Sequence, residues 1–124
     1  PLNMRKTSDI IWQDAQHQVL FDILDMISEP DSDVEVLRKL REYTEYHFSL
    51  EELYMNNLKY PDMKEHIRAH DQFRAEINKL MQQSAAYDSA FKNIVHTFLT
   101  EWLTCHVFGI DKRLETFLQL SEVK

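Results

Sequence analysis

Apolar residues recur at alternating spacings of three and four through nearly the whole chain, the period of helices that turn one face inward. The cleanest run is Met63, His66, His70, Phe73, Ile77 and Leu80. It predicts a helix opened by Pro61, whose fixed φ suits a first turn. An earlier helix is expected from about 10 to 28, with Val19, Leu20, Ile23, Leu24 and Ile27 on its inner side and Glu29-Pro30-Asp31 ending it. Ser32, followed three residues later by Glu35, predicts a capping box for the next helix. That helix carries a stripe of Leu37, Leu40, Thr44, His47, Glu51, Met55 and Leu58. Asp88 is the expected N-cap of a last helix with the stripe Phe91, Val95, Phe98, Trp102 and His106. Helices of roughly 20 residues are about 30 Å long, and short links force neighbours to run antiparallel. The expected fold is all-α, an up-down-up-down antiparallel four-helix bundle forming one domain over residues 1–124.

Composition supports this pattern. One Gly and three Pro in 124 residues are too few for a β-protein or a glycine-rich phosphate loop. The net charge of -7, from 21 acidic and 14 basic side chains without a basic stripe, argues against a nucleic-acid partner. A single Cys forms no internal disulfide and suits a reducing compartment. No apolar run approaches a membrane span, and the segment PLNMRKTSD has no hydrophobic stretch behind its charges, so a cytoplasmic location is expected. The chain opens on Pro1 rather than Met, which suggests processing or excision from a longer polypeptide.

What changes the picture is the polar content of the inner stripes. Burying an imidazole or a carboxylate without a partner costs several kcal/mol, roughly, and a bound cation offsets that cost by taking the lone pairs directly. Taken singly, each residue has an ordinary reading. His17 could be a partly buried helix histidine. His47 with Glu51 could be a polar pair one turn apart. His66 with His70 is suggestive, and His106 near Asp111 is weak by itself. Together these features fall one to each expected helix, and five of the six histidines lie on inner stripes. The exception, His96, is expected on the solvated surface, and Cys105 is expected to be a small buried thiol. Five imidazoles and two carboxylates are too many for one tetrahedral zinc and suit two iron ions. A zinc protease motif is excluded because Ile67 follows the first histidine of the pair, and no Glu has a His three residues later as ferritin-like di-iron proteins require.

The segments WQDAQHQVLF, YHFSLEELYM, YPDMKEHIRAHDQF and FLTEWLTCHVFGID, spread over nearly the entire chain, resemble the hemerythrin family, and specifically its bacterial members. The combined pattern is His, His-x-x-x-Glu, His-x-x-x-His and His-x-x-x-x-Asp. The resemblance implies two iron ions cycling between Fe2+ and Fe3+. His66, His70 and His106 would hold one and His17 and His47 the other, with Glu51, Asp111 and an oxo or hydroxo group bridging them. The second iron then lacks one ligand, and an open position is where dioxygen, or azide and similar small anions in the ferric form, would bind. The matching positions Phe48, Trp102, Leu103 and Val107 would wall a dry oxygen pocket, and Gln16, next to His17, would either support a ligand from outside or lie at the surface.

Residues five apart on an α-helix differ by about 140° around its axis, so His106 and Asp111 could not both face inward. A π-type bulge or a helix break near Gly109 is therefore expected. Three uses of such a centre compete. One is an oxygen- or redox-sensing domain with a C-terminal output module such as a chemoreceptor or cyclic-dinucleotide synthase. Another is a stand-alone oxygen carrier. The third is a di-iron oxidase, peroxidase or nitric-oxide-handling enzyme, set behind the two non-enzymatic readings because no general acid, base or cleft is visible in the sequence.

Overall fold

The computed structural model describes residues 6–83 and 87–121. Pro1 and the chain end at Lys124, on which the expectation of a longer polypeptide rests, lie outside them. The elements are α1 (Ile11–Ile27), α2 (Val34–Asn57), α3 (Met63–Gln82), α4 (Ser89–Cys105), a π-helical segment (His106–Ile110) and α5 (Asp111–Leu120). The last three are continuous, so the described residues form four rods and contain no strand. As positions on α2 rise from Arg41 to Glu52, their partners on α3 fall from Asn78 to His70, the mark of an antiparallel pair. Likewise Gln16 and Gln13 of α1 meet His47 and Glu51 of α2 in reverse order.

The core is built from the inner stripes: Leu20, Ile23, Leu24, Ile27, Leu37, Leu40, Phe48, Phe73, Ile77, Val95, Leu99, Leu103 and Val107 form one buried cluster. A second cluster at the other end joins Ile10, Met55, Tyr60, Leu114 and Leu118. The metal-ligating candidates lie between apolar packing on both sides.

Several local expectations are corrected. Val19 is exposed, because its neighbour Leu20 takes the inward position. On the fourth rod Val95 and His106 are buried as expected, but Leu99 and Leu103 take the inward positions in place of Phe98, which is exposed, and Trp102, which is half-buried like Phe91. The cap of α2 is Asp33, whose carboxylate accepts from the Glu35 amide, while the Ser32 hydroxyl donates to the Ile27 carbonyl at the end of α1. Pro61 sits in the turn before α3, which begins at Met63. Asp88 caps α4 as expected, accepting from Phe91 N at 2.9 Å.

A scarcity of glycine leaves a mark at the end of α2. Lys59 adopts φ 55°, the left-handed conformation that favours glycine. Tyr60 N donates to Met55 O at 2.9 Å and Lys59 N to Asn56 O at 3.4 Å, the paired bonds of a Schellman motif. Among the described residues no helix is long and apolar enough to cross a membrane.

Candidate metal centre

His17 comes from α1, His47 and Glu51 from α2, His66 and His70 from α3, His106 from the π segment and Asp111 from the start of α5. On α2 and α3 the spacing of four places each pair on one face. The fourth rod needs a different device, and it has one. The amide of Asp111 donates to the carbonyl of His106, five residues back, so these two residues are themselves joined by a π-type hydrogen bond. The wider turn brings both side chains inward. Gly109 lies within this segment, yet a Cβ there would meet nothing within 4 Å, and the residue does not need a glycine conformation. The π turn is present where the spacing of His106 and Asp111 called for it, and it does not depend on the conformational freedom of the glycine.

All seven side chains are buried, none more than 3% exposed. Their ligand atoms converge in two sets, Glu51, His66, His70, His106 and Asp111 in one, His17, His47, Glu51 and Asp111 in the other, with atoms within 4.8 Å of one another in each. The two carboxylates are divided between the sets oxygen by oxygen. Glu51 Oε1 lies 3.2 Å from His66 Nε2 and 3.1 Å from His70 Nε2, while its Oε2 lies 3.4 Å from His47 Nε2. Asp111 Oδ1 lies 3.0 Å from both His66 Nε2 and His106 Nε2, while its Oδ2 lies 2.8 Å from His17 Nε2 and 3.5 Å from His47 Nε2. Each acid thus presents one oxygen to each group, the geometry of a bridge between two cations.

The outer nitrogens say what the inner ones must be. Thr7 Oγ1 donates to Asp14 Oδ1 at 2.8 Å, so toward His17 Nδ1, also at 2.8 Å, it can only accept. His47 Nδ1 donates to Gln16 Oε1 at 2.7 Å, and His70 Nδ1 donates to Glu52 Oε2 at 2.8 Å. With a proton on Nδ1, His17, His47 and His70 can each turn an Nε2 lone pair toward the carboxylate oxygens. Lone pair against anion at such distances is repulsive unless positive charge, a metal ion or a second ring proton, stands between them. His66 and His106 make the same point differently: Nε2 of each, and Asp111 Oδ1, are buried without a hydrogen bond although both nitrogens lie 3.0 Å from that oxygen. Atoms that approach without hydrogen-bonding geometry, yet all point at one place, fit a metal ion.

Electrostatics agree. Burial and the neighbouring Asp111 charge oppose ionisation of Glu51, but His47, His66 and His70 hold its carboxyl down to about 2. Burial likewise opposes ionisation of Asp111, and His106, His17 and His47 outweigh it, keeping that carboxyl well below its ordinary value. Burial works against a charged His66, yet the facing acids Asp111 and Glu51 raise it to about 9. The centre is a buried anionic cage that draws positive charge.

Phe48, Leu103 and Val107 are fully buried and belong to the main core cluster. Phe48 stacks on His70 with ring centres 3.9 Å apart, and the half-buried Trp102 stacks on His106 at 4.8 Å. Both aromatic contacts fall on the three-histidine set. Gln16 is buried and takes the supporting role rather than a surface one, and its partner is His47 on α2. His96 is half-buried rather than fully solvated, in a cavity lined also by Phe21, Asp22, Leu24, Asp25, Thr100 and Thr104. Cys105 is exposed, contrary to the expected buried thiol, because Leu103 and His106 take the inward positions on either side of it.

Three participants were not foreseen. Gln13 Nε2 donates to Glu51 Oε2 at 3.0 Å; its place one turn before His17, on the inner face, was a readable signal. Thr7 precedes α1 and has no periodicity to reveal it. It is held by distant groups, with Lys112 Nζ donating to its carbonyl and Glu115 Oε2 accepting from the Asp9 amide. Glu52, beside Glu51, was hidden by its more conspicuous neighbour.

Comparison with known proteins agrees with this geometry. The family model described as "Hemerythrin HHE cation binding domain" matches residues 9–118. A myohemerythrin of Riftia pachyptila is 34% identical over 98 residues, covering 79% of this chain and 76% of that protein. A myohemerythrin of Sipunculus nudus is 33% identical over 99 residues, covering 79% and 76%. A bacteriohemerythrin of Ralstonia nicotianae is 30% identical over 108 residues, covering 85% and 78%. The likeness extends to relatives of both names. With a matching model over most of its length and relatives above 30% identity, the chain belongs to the hemerythrin family.

Proposed function

We propose that this protein binds dioxygen reversibly at a non-haem di-iron centre, with His66, His70 and His106 on one iron, His17 and His47 on the other, and Glu51 and Asp111 bridging. The observation that carries this reading is the division of each carboxylate between two imidazole sets. One cation would need no such division. When bound there, iron would supply the electrons for holding dioxygen. The protein's own residues hold the imidazoles in one tautomer through Thr7, Gln16 and Glu52, and exclude water by packing. Phe48, Trp102, Leu103 and Val107 form the dry wall of the pocket, which also admits azide or similar small anions in the ferric form.

The role is binding rather than turnover, in a single domain and in the cytoplasm. An oxygen- or redox-sensing use is favoured by the fourth rod. It carries His106 and Asp111 at the two ends of one π turn, and α5 also grips the Thr7–Asp9 segment through Lys112 and Glu115. A shift at the centre would reach both ends of the chain's described part, where an output domain could respond.

The test is anaerobic reconstitution with ferrous iron, metal analysis, and spectra before and after dioxygen. Two irons per chain and an adduct that disappears under vacuum are expected. Irreversible oxidation with turnover of a reductant would replace this reading with the enzymatic one.

A further inference from the structure

Among the five clustered histidines only His70 is backed by a carboxylate. Its Nδ1 lies 2.8 Å from Glu52 Oε2, whereas His17 rests on the Thr7 hydroxyl and His47 on the Gln16 amide oxygen. His66 Nδ1 and His106 Nδ1 have no hydrogen-bond partner. The same Glu52 oxygen lies 3.1 Å from Arg74 Nη1. Arg74 is in turn fixed by Glu45 at 2.8 and 3.2 Å and by Asp71 at 2.9 Å. Its guanidinium stands 5.3 Å from the centre of the Phe48 ring, and Phe48 lies flat on His70 with an interplanar angle of 11°. His70 is therefore enclosed: Phe48 covers its face, Glu52 holds its outer edge, and Arg74 clamps both.

We propose that Glu52 and Arg74 are opposed positioning residues that set how strongly His70 donates to the metal centre. This rests on the di-iron reading above. A carboxylate on the Nδ1 proton draws that proton outward and leaves more electron density at Nε2, so the metal is bound more tightly and its higher charge state is favoured. Arg74 shares the same Glu52 oxygen and withdraws part of that effect. The pair acts on one histidine of the three-histidine set and leaves the His17–His47 set, with its neutral partners, untouched. The two irons are thereby made electronically unequal by residues that never touch them.

Helix register explains why the device can exist. Glu45, Phe48 and Glu52 follow each other at three and four on α2, and His70 and Arg74 are one turn apart on α3, so the antiparallel pairing stacks them in one ladder.

The experiment uses the intact protein and the substitutions Glu52→Gln and Arg74→Gln, read by two measurements. The first is affinity for zinc, which has no redox chemistry, by chelator competition. Glu52→Gln is expected to weaken it about 10- to 100-fold, and Arg74→Gln to strengthen it. The second is the reduction potential of the iron-loaded protein, expected to rise in Glu52→Gln and to fall in Arg74→Gln. A merely structural role would move both variants the same way, and that result would overturn the proposal, as would a Glu52→Gln protein within twofold of the parent affinity. Should Glu52→Gln fail to fold, Glu52→Asp keeps the charge and is expected to retain the parent potential; a potential displaced as far as in a charge loss would count against the idea. Parent protein that takes up two metals while Glu52→Gln changes nothing defeats this inference alone. Parent protein that takes up none defeats the di-iron reading with it.

Discussion

Stripping the metal from this protein should lower its melting temperature by a large and calculable amount. Three inward-pointing atoms, His66 Nε2, His106 Nε2 and Asp111 Oδ1, are buried without hydrogen bonds and would each be satisfied by a cation. An unsatisfied buried polar atom costs about 1–3 kcal/mol, so the relief on metal binding is at most about 3–9 kcal/mol, less what a proton between His66 and Asp111 already recovers. For a chain of 124 residues the unfolding entropy near the midpoint is about 0.26 kcal/mol per degree, which converts that relief to about 12–35 °C. Thermal unfolding followed by circular dichroism, on chelator-stripped and iron- or zinc-loaded protein at equal concentration, measures the difference. His106→Leu sharpens the test, since it removes one of these three atoms, and the unpartnered outer Nδ1 of the same ring, together with a candidate ligand. The stripped variant should melt above the stripped parent, whereas the loaded variant should melt below the loaded parent. A parent whose stripped and loaded forms melt within about 3 °C of each other would refute the argument that these atoms await a cation.

Other consequences are smaller or simpler. Lys59→Gly removes a left-handed conformation that costs an L-residue about 1 kcal/mol, so the midpoint should rise by about 4 °C, read in the same melts. Leu103→Ala, at a fully buried position, should cost about 3–5 kcal/mol and hasten loss of the ferrous form by admitting water; an unchanged oxidation rate would remove Leu103 from the pocket wall. Acid should release the metal, because bound imidazoles must be neutral and protons compete for the same Nε2 atoms. Iron retained after gel filtration should fall steadily from pH 7 to pH 4, whereas equal retention would mean that the histidines are not the ligands.

The sequence was most readable where residue type and period pointed to the same answer. His66 and His70 sit in an unbroken three-four run, and α3 forms with both turned inward. The seven polar residues announced a centre because burial makes each of them costly alone. Readability failed where two neighbours were equally apolar. Phe98-Leu99 and Trp102-Leu103 offer adjacent registers, and the smaller leucines went inside while the aromatic rings stayed at the margin. It failed again at Ser32-Asp33, where either residue could cap and the carboxylate took the amide. Thr7 lies before the first helix, outside any periodic stripe, and its place is fixed by Asp14 and by Lys112 from the other end of the chain.

The π turn at His106–Ile110 holds more than one residue in phase. Asp111 reaches the buried histidine and carboxylate cluster, and Leu114 and Leu118 reach the second apolar cluster, all from the helix that follows the turn. Losing one residue there would rotate that entire helix by about 100°, swinging the bridging acid and both leucines away together. A deletion that most surface loops absorb would thus empty the centre and open one end of the bundle at a single stroke. Mutational drift can alter the letters of this stretch, but its length is locked.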